Sequence, residues 1–296
     1  MNCPICEASE SWPIAGTLDP DVAGWRAEAG VTRPYFWQLC KTCGNGYPTE
    51  PPLATVLDRY WQTDRRVEGG AEAEEDAWQR RIGFSRVGAE RSFKVFAPLH
   101  HSAPGRFLDI ACGLGETVRK FRDNGWQAEG IDLDATTKRF HDRLGLQTRI
   151  GRFETESFNG RYHIIHIAHA IYFITEPMAF LYRVRGQLES AGILGIVISD
   201  FLAAHAQSEP TYACTFYPCA ESMRYALSLA GLNPFVTRTI GGSIYIAARP
   251  GEVTPTKLDA QRIYWRYRTK KLRFATIGRP YLAARSLAKR ALSLVR

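Results

Sequence analysis

With 296 residues, 45% of them apolar and 23% charged, the chain can bury a large core, which excludes a disordered or fibrous protein. The net charge of +8 is concentrated at one end, where residues 257–296 carry twelve Lys or Arg against the single acid Asp259 and leave the remainder near −3. No apolar run approaches the roughly 18 residues of a membrane span, and the first residues lack the pattern of a secretory signal, so a cytoplasmic protein is expected.

Four of the seven cysteines stand in two C-x-x-C pairs, which favours a metal site over a disulfide framework. Cys3-Pro4-Ile5-Cys6 and Cys40-Lys41-Thr42-Cys43 read as two knuckles that supply four thiolates to a tetrahedral Zn2+. A segment of about fifty residues has too little core to fold unaided, and four closed ligands leave no position for water, so the metal reads as structural. From residue 53 to about 99 the apolar spacing is helical, broken at 68–71, and Glu72, Glu74, Glu75 and Asp76 favour a helix start after the break.

Phe107-Leu108-Asp109-Ile110-Ala111-Cys112-Gly113-Leu114-Gly115-Glu116-Thr117 reads as a buried strand that runs through a glycine turn into a helix. Gly113-x-Gly115 does not complete G-x-G-x-x-G, because Thr117-Val118 stand where a dinucleotide fingerprint has its last glycine. An acid directly before the glycines suits a ligand with an ammonium group and no pyrophosphate, and S-adenosylmethionine is such a ligand. Residues 116–124 read as a helix stopped by Gly125, and 126–131 as a second strand ending in Asp132, where a carboxylate can accept from two ribose hydroxyls. Asp134 reads as the N-cap of a helix that ends at Gly145.

A third strand near 146–150 and a fourth at 162–168 follow, the latter ending at His169. Strand carboxyl ends carry the chemistry of open α/β sheets, so His169 falls where a base can reach a substrate hydroxyl, with a pocket-shaping role as the alternative and Tyr172 as a second candidate. His163 and His166 belong to the strand body and read as packing or partly exposed residues. A helix over 177–188, a buried strand over 192–200, a polar and aromatic loop over 201–217, a helix over 219–230 and a hairpin around Gly241-Gly242 complete the alternation. The pattern predicts a doubly wound, Rossmann-like α/β fold with a mostly parallel seven-stranded sheet.

The glycine turn resembles motif I of class I S-adenosylmethionine-dependent methyltransferases, with Asp109, Gly113 and Gly115 in family positions and Ala111 where the family usually has another glycine. Cys43-Gly44-Asn45-Gly46-Tyr47-Pro48, Pro51-Pro52-Leu53 and Leu57-Asp58-Arg59-Tyr60 resemble the N-terminal zinc ribbon of a bacterial branch associated with sugar, polysaccharide and secondary-metabolite modification. The resemblance implies a ribbon over 1–50, a helical connector or lid over 51–100 and a methyltransferase domain over 101–250. It implies cofactor contacts from Asp109, Ala111, Gly113, Gly115, Asp132, Leu133 and Phe153, with Leu133 flanking the adenine. Tyr60, Trp61 and Trp78 then belong either to the cover of the cofactor or to plain core. Arg152 replaces a family acid that accepts from the adenine amine, leaving that role to a backbone carbonyl or to Glu154. In similar enzymes the 201–217 insertion, with His205, Tyr212, Thr215 and Tyr217, lies over the acceptor pocket.

In the last segment, 251–296, Ala284, Leu287, Ala288, Ala291, Leu294 and Val295 share a helical face and Arg285, Lys289 and Arg296 another, giving a basic amphipathic helix. Such a helix suits a peripheral contact at the inner face of a membrane, a solvated end, or docking on the domain; its charge cluster also suits nucleic acid, but no base-reading module accompanies it. The function expected is O-methylation of a sugar, glycan or small metabolite with His169 as base. Three alternatives stand beside it: C-methylation of a deoxysugar, methylation of an RNA base, and a non-catalytic binding protein on the same scaffold. The RNA reading is disfavoured because residues 1–50 hold Arg26, Arg33 and Lys41 against Glu7, Glu10, Asp19, Asp21, Glu28 and Glu50.

Overall fold

The computed structural model describes residues 1–17, 35–53, 56–57, 61, 71–101, 104–202, 213–278 and 280. Three short antiparallel strands, β1 (Ser11–Thr17), β2 (Tyr35–Cys40) and β3 (Gly46–Pro48), make the ribbon sheet in the order β1-β2-β3. Helix α1 (Ala71–Phe96) leads into the larger unit. There, β4 (Arg106–Ile110), α2 (Glu116–Arg122), β5 (Gln127–Asp132), α3 (Lys138–Arg143) and β6 (Gln147–Ile150) form the first half. The second half holds β7 (Tyr162–Ala168), α4 (Pro177–Gln187), β8 (Leu188–Ser199), α5 (Ala220–Leu229), β9 (Leu232–Ile240) and β10 (Ser243–Pro250).

The seven strands are ordered β6-β5-β4-β7-β8-β10-β9. Only β10 runs antiparallel to its neighbours β8 and β9, so the mostly parallel doubly wound sheet is as expected. The strand order reverses between β4 and β7, which opens a crevice at their carboxyl ends, where α/β sheets bind ligands. Both faces are covered, and side chains alternate between two cores. Phe107, Ile164, Ile193 and Val197 pack with Phe96, Phe121 and Tyr245 on one side; Leu108, Ile165, Leu194 and Ile196 pack with Phe180, Leu181 and Met223 on the other.

Two boundaries move. The helix expected from Asp134 begins as a 3-10 turn, Ala135–Thr137, whose Thr136 N–H is capped by the Asp134 side chain, before α3. The strand expected from 192 starts at Leu188 and is irregular at Gly192, where an added Cβ would lie 2.9 Å from Tyr162 O and from the Glu189 backbone.

The first part of the C-terminal segment docks on the rest of the chain, one of the alternatives weighed for it. Helix α6 (Ala260–Arg273) buries Ala260, Ile263, Tyr267 and Lys270, three or four residues apart, between ribbon and sheet domain. Tyr264 stacks on Trp12 with ring centroids 4.9 Å apart, and Lys270 Nζ donates to Phe201 O at 2.7 Å. Gly44 lies under this helix with φ +64, and a Cβ there would come within 2.5 Å of Ile263 Cδ1, so conformation and space both require glycine. The expected amphipathic face at 284–295, together with Tyr60, His205 and Tyr212, lies outside the described residues. Among the described residues no helix is long and apolar enough to cross a membrane.

Candidate active site

The glycine turn joins β4 to α2 with three consecutive demands on the backbone: Ala111 at φ +56, Gly113 at φ +55 and Gly115 at φ +77. Ala111 therefore adopts a left-handed conformation that suits the glycine it replaces, at a cost of roughly 1–2 kcal/mol. Asp132, at the tip of β5, holds the turn. Its Oδ2 accepts the Gly113 N–H at 2.7 Å and its Oδ1 the Asp134 N–H at 2.9 Å. From beneath, the fully buried His141 donates Nε2–H to Gly113 O at 2.7 Å. The sequence reading passed over His141; its only signal was a place on the inward face of α3.

A cavity of about 400 Å³ opens over this turn. The strand tips contribute Ala111, Gly113, Asp132 and Leu133 to its wall, Phe153 closes one side, and His169 and Phe173 close the other. Trp61 also lines it and packs on Phe173 at a centroid distance of 4.5 Å, whereas Trp78 is buried against Phe140 away from the cavity. Of the three aromatics weighed for a cover, Trp61 lines the cavity, Trp78 is core and Tyr60 lies outside the described residues. Arg152 and Glu154 both border the cavity.

A second cavity of about 420 Å³ lies between α1 and the sheet and shares Ala111, Gly113, Ala168 and His169 with the first. Asp109, Arg91 and Ser92 line it. Asp109 is only 2% exposed, and its Oδ1 accepts from His166 Nδ1 at 2.7 Å. His166 in turn takes Ser92 Oγ at 3.0 Å on Nε2 and lies wholly buried against Phe96, so of the two readings it is the packing residue, with both ring nitrogens also bonded. Its signal was strand period: Ile164, His166 and Ala168 face one side of β7, and α1 covers that side. Gly115 borders neither cavity, and a Cβ added there would meet Leu146 and His141.

His169 stands at the tip of β7 with φ +54, so the two described strand tips that flank the crevice each hold a non-glycine residue in left-handed geometry. Such strain gathers at ligand sites, where the surrounding structure enforces it. The ring has three hydroxyl neighbours, each at 3.4 Å: Tyr172 OH and Ser199 Oγ from Nδ1, and Ser243 Oγ from Nε2. It is open to solvent through the cavities while protein surrounds its other sides. That desolvation, with the nearby His166, lowers its pKa below 6.5. Tyr172 is buried beside it and lines neither cavity, so it reaches the site only through His169, and burial raises the pKa of its hydroxyl.

Beyond the sheet, Cys3, Cys6, Cys40 and Cys43 converge, all four sulfurs within 4.8 Å of one another. Cys3 and Cys43, and Cys6 and Cys40, stand 3.5 Å apart, close to the edge of about 3.8 Å that a tetrahedron with Zn–S bonds of about 2.3 Å requires. Thr42 N donates to Cys40 Sγ and Asn45 Nδ2 to Cys43 Sγ, each at 3.4 Å, which stabilises thiolate character. The donor set and its spacing fit a closed four-thiolate metal site.

The family model described as "Methyltransferase domain" matches residues 81–289, well over half of the chain. No curated protein matches it. Among solved structures, the CcbJ methyltransferase from Streptomyces caelestis aligns with a TM-score of 0.46 at 14% identity, over 55% of this chain and 89% of that one. The glycopeptide N-methyltransferase MtfA complexed with S-adenosyl-L-homocysteine gives 0.44 at 15%, over 54% and 86%. An S-adenosylmethionine-dependent methyltransferase from Clostridium acetobutylicum gives 0.44 at 11%, over 56% and 90%. With the family matched from α1 onward, strands in the order 3-2-1-4-5-7-6 when counted from β4, and a glycine turn facing a strand-tip carboxylate, the chain belongs to the methyltransferase-domain family and is a class I S-adenosylmethionine-dependent methyltransferase.

Proposed function

We propose that the chain O-methylates a sugar, glycan or small metabolite, with residues 101–250 as the transfer domain, 1–50 as a zinc ribbon built onto it and His169 as the general base. One observation carries the reading: His169 is shared by both cavities, in enforced backbone geometry and with a pKa lowered by burial. Asp132 would take the ribose hydroxyls, and Leu133 and Phe153 the adenine. Glu154 offers the acceptor that Arg152 lacks. The second cavity is lined by both the Asp109 carboxylate and the Arg91 guanidinium, groups suited to the ammonium and the carboxylate of an amino-acid moiety.

The bound cofactor supplies a methyl group on a sulfonium, and the chain's own residues align, shield and deprotonate. Trp61 and Phe173 exclude water from the first cavity. His169, neutral at pH 7 because its pKa is lowered, can accept the proton of an attacking hydroxyl. C-methylation uses the same cofactor half. A binding-only scaffold is disfavoured because Ala111 accepts the glycine conformation and leaves the turn open. The four thiolates would hold zinc in a structural role, since all four positions are filled by protein.

His169→Ala tests the reading. Turnover should fall roughly 10²-fold or more, while calorimetric affinity for S-adenosylhomocysteine stays within about twofold. Unchanged turnover removes His169 as base.

A further inference from the structure

The ribbon and the cleft are joined through one short segment. Gly46 of β3 and Tyr217 exchange both backbone bonds, Gly46 N to Tyr217 O at 3.0 Å and Tyr217 N to Gly46 O at 2.7 Å, as an isolated antiparallel bridge. A Cβ on Gly46 would sit 3.2 Å from Tyr217 O, so the two chains are in close approach. On its other side the same segment is tied to the cleft wall. Thr215 N donates to Tyr172 O at 2.8 Å, and Thr215 Oγ1 donates to Ile174 O. The Tyr217 ring lies 5.7 Å from that of Tyr172, whose hydroxyl is 3.4 Å from His169 Nδ1. Phe201, 5.3 Å from Tyr217, closes the stack from the α6 side.

At the metal end, Asn45 donates to Cys43 Sγ and also to Ser222 O of α5, each at 3.4 Å. The cysteines, Tyr217, Tyr172 and Ile171 belong to one continuous buried cluster. Such a cluster has discrete arrangements rather than graded ones, because a close-packed interior does not deform smoothly.

We infer that Tyr217 is a positioning residue for His169, and that the four-cysteine site acts through it to hold the transfer site in working geometry. The Tyr217 backbone is fixed by β3, its ring braces Tyr172, and Tyr172 in turn sets the His169 ring. No role in binding the cofactor follows, since Tyr217 borders neither cavity. The consequence for turnover rests on the proposed role of His169; the structural coupling does not.

The experiment uses the full chain, labelled so that the ring signal of His169 is resolved by NMR and assigned with His169→Gln. Tyr217→Leu, with cysteines and metal untouched, should displace that signal and lower turnover about tenfold, with affinity for S-adenosylhomocysteine changed less than twofold. Tyr217→Phe should restore the native signal, because the ring and not the hydroxyl makes the contact. Stripping the metal with a chelator should displace the signal in the same direction. A His169 signal unmoved in Tyr217→Leu overturns the inference, as does a signal unmoved after metal removal in protein that still binds S-adenosylhomocysteine. A displaced signal with unchanged turnover supports the positioning and overturns instead the reading of His169 as base.

Discussion

The ribbon and the seven-stranded sheet solve the same problem of burial by opposite means. The sheet is covered on both faces, and its central strands β4, β7 and β8 are almost wholly inside, so apolar area alone orders it. The ribbon has three strands of seven, six and three residues and would leave one face bare. Its order comes from four converging sulfurs and from the neighbours it leans on, α6 and the Tyr217 segment. One region is self-sufficient and carries the nucleoside cleft, while the other is contingent and braces it.

The comparison breaks most sharply at the cysteines. Cys43→Ser should abolish metal binding and remove most of the roughly 10 kcal/mol that such a site contributes. Amide exchange should then become fast in β1 to β3 and stay slow in β4 and β7; a sheet that melts together with the ribbon refutes the asymmetry. Next in size is Asp132→Ala, which deletes the acceptor for the Gly113 and Asp134 N–H groups. Hydrogen bonds to a charged group contribute about 1.5–3 kcal/mol, so calorimetric affinity for S-adenosylhomocysteine should fall about 10- to 100-fold while the metal remains bound.

A smaller effect should appear with pH. Protonation disables a base, and the folded pKa of His169 lies below 6.5, so turnover should be flat around pH 7 and fall as the pH drops through that lowered value. A turnover that falls above pH 6.5 places the titration elsewhere. The smallest effect is Ala111→Gly. Relief of left-handed strain outweighs the added chain entropy, and stability should rise by about 0.5–1 kcal/mol, read as a slightly higher midpoint in denaturant. A loss of stability would mean that the alanine methyl contributes more than its conformation costs.

Much of the sheet was legible because its signals are local. Apolar strand runs, the Asp109 to Gly115 turn and the acid at Asp132 each declare themselves within a few residues, and the two C-x-x-C pairs declare four ligands by spacing alone. What the sequence left open shares one cause, dependence on partners distant in sequence. Asp109 reads as a ligand-facing acid, and only the fold shows that His166, 57 residues later, also holds one of its oxygens. Gly115 reads as part of the ligand cradle, and only the fold shows that Leu146 and His141 lie where its Cβ would be. The basic residues at 257–273 left a solvated, membrane-bound or docked end open, and the burial of every third or fourth position of α6 shows that this helix docks.

What the sequence by itself determined is therefore the order of strands and helices, the glycine turn, the carboxylate closing the second sheet strand and the four thiolates, since periodicity and short-range chemistry need no distant partner. Only the tertiary structure decided that His169 faces two cavities at once, that Asp109 is shared with His166, and that the ribbon reaches the cleft through Tyr217. Those facts depend on which side chains the folded sheet brings within about 3–6 Å of one another, and hydrogen bonding and packing act at that range whatever the separation along the chain.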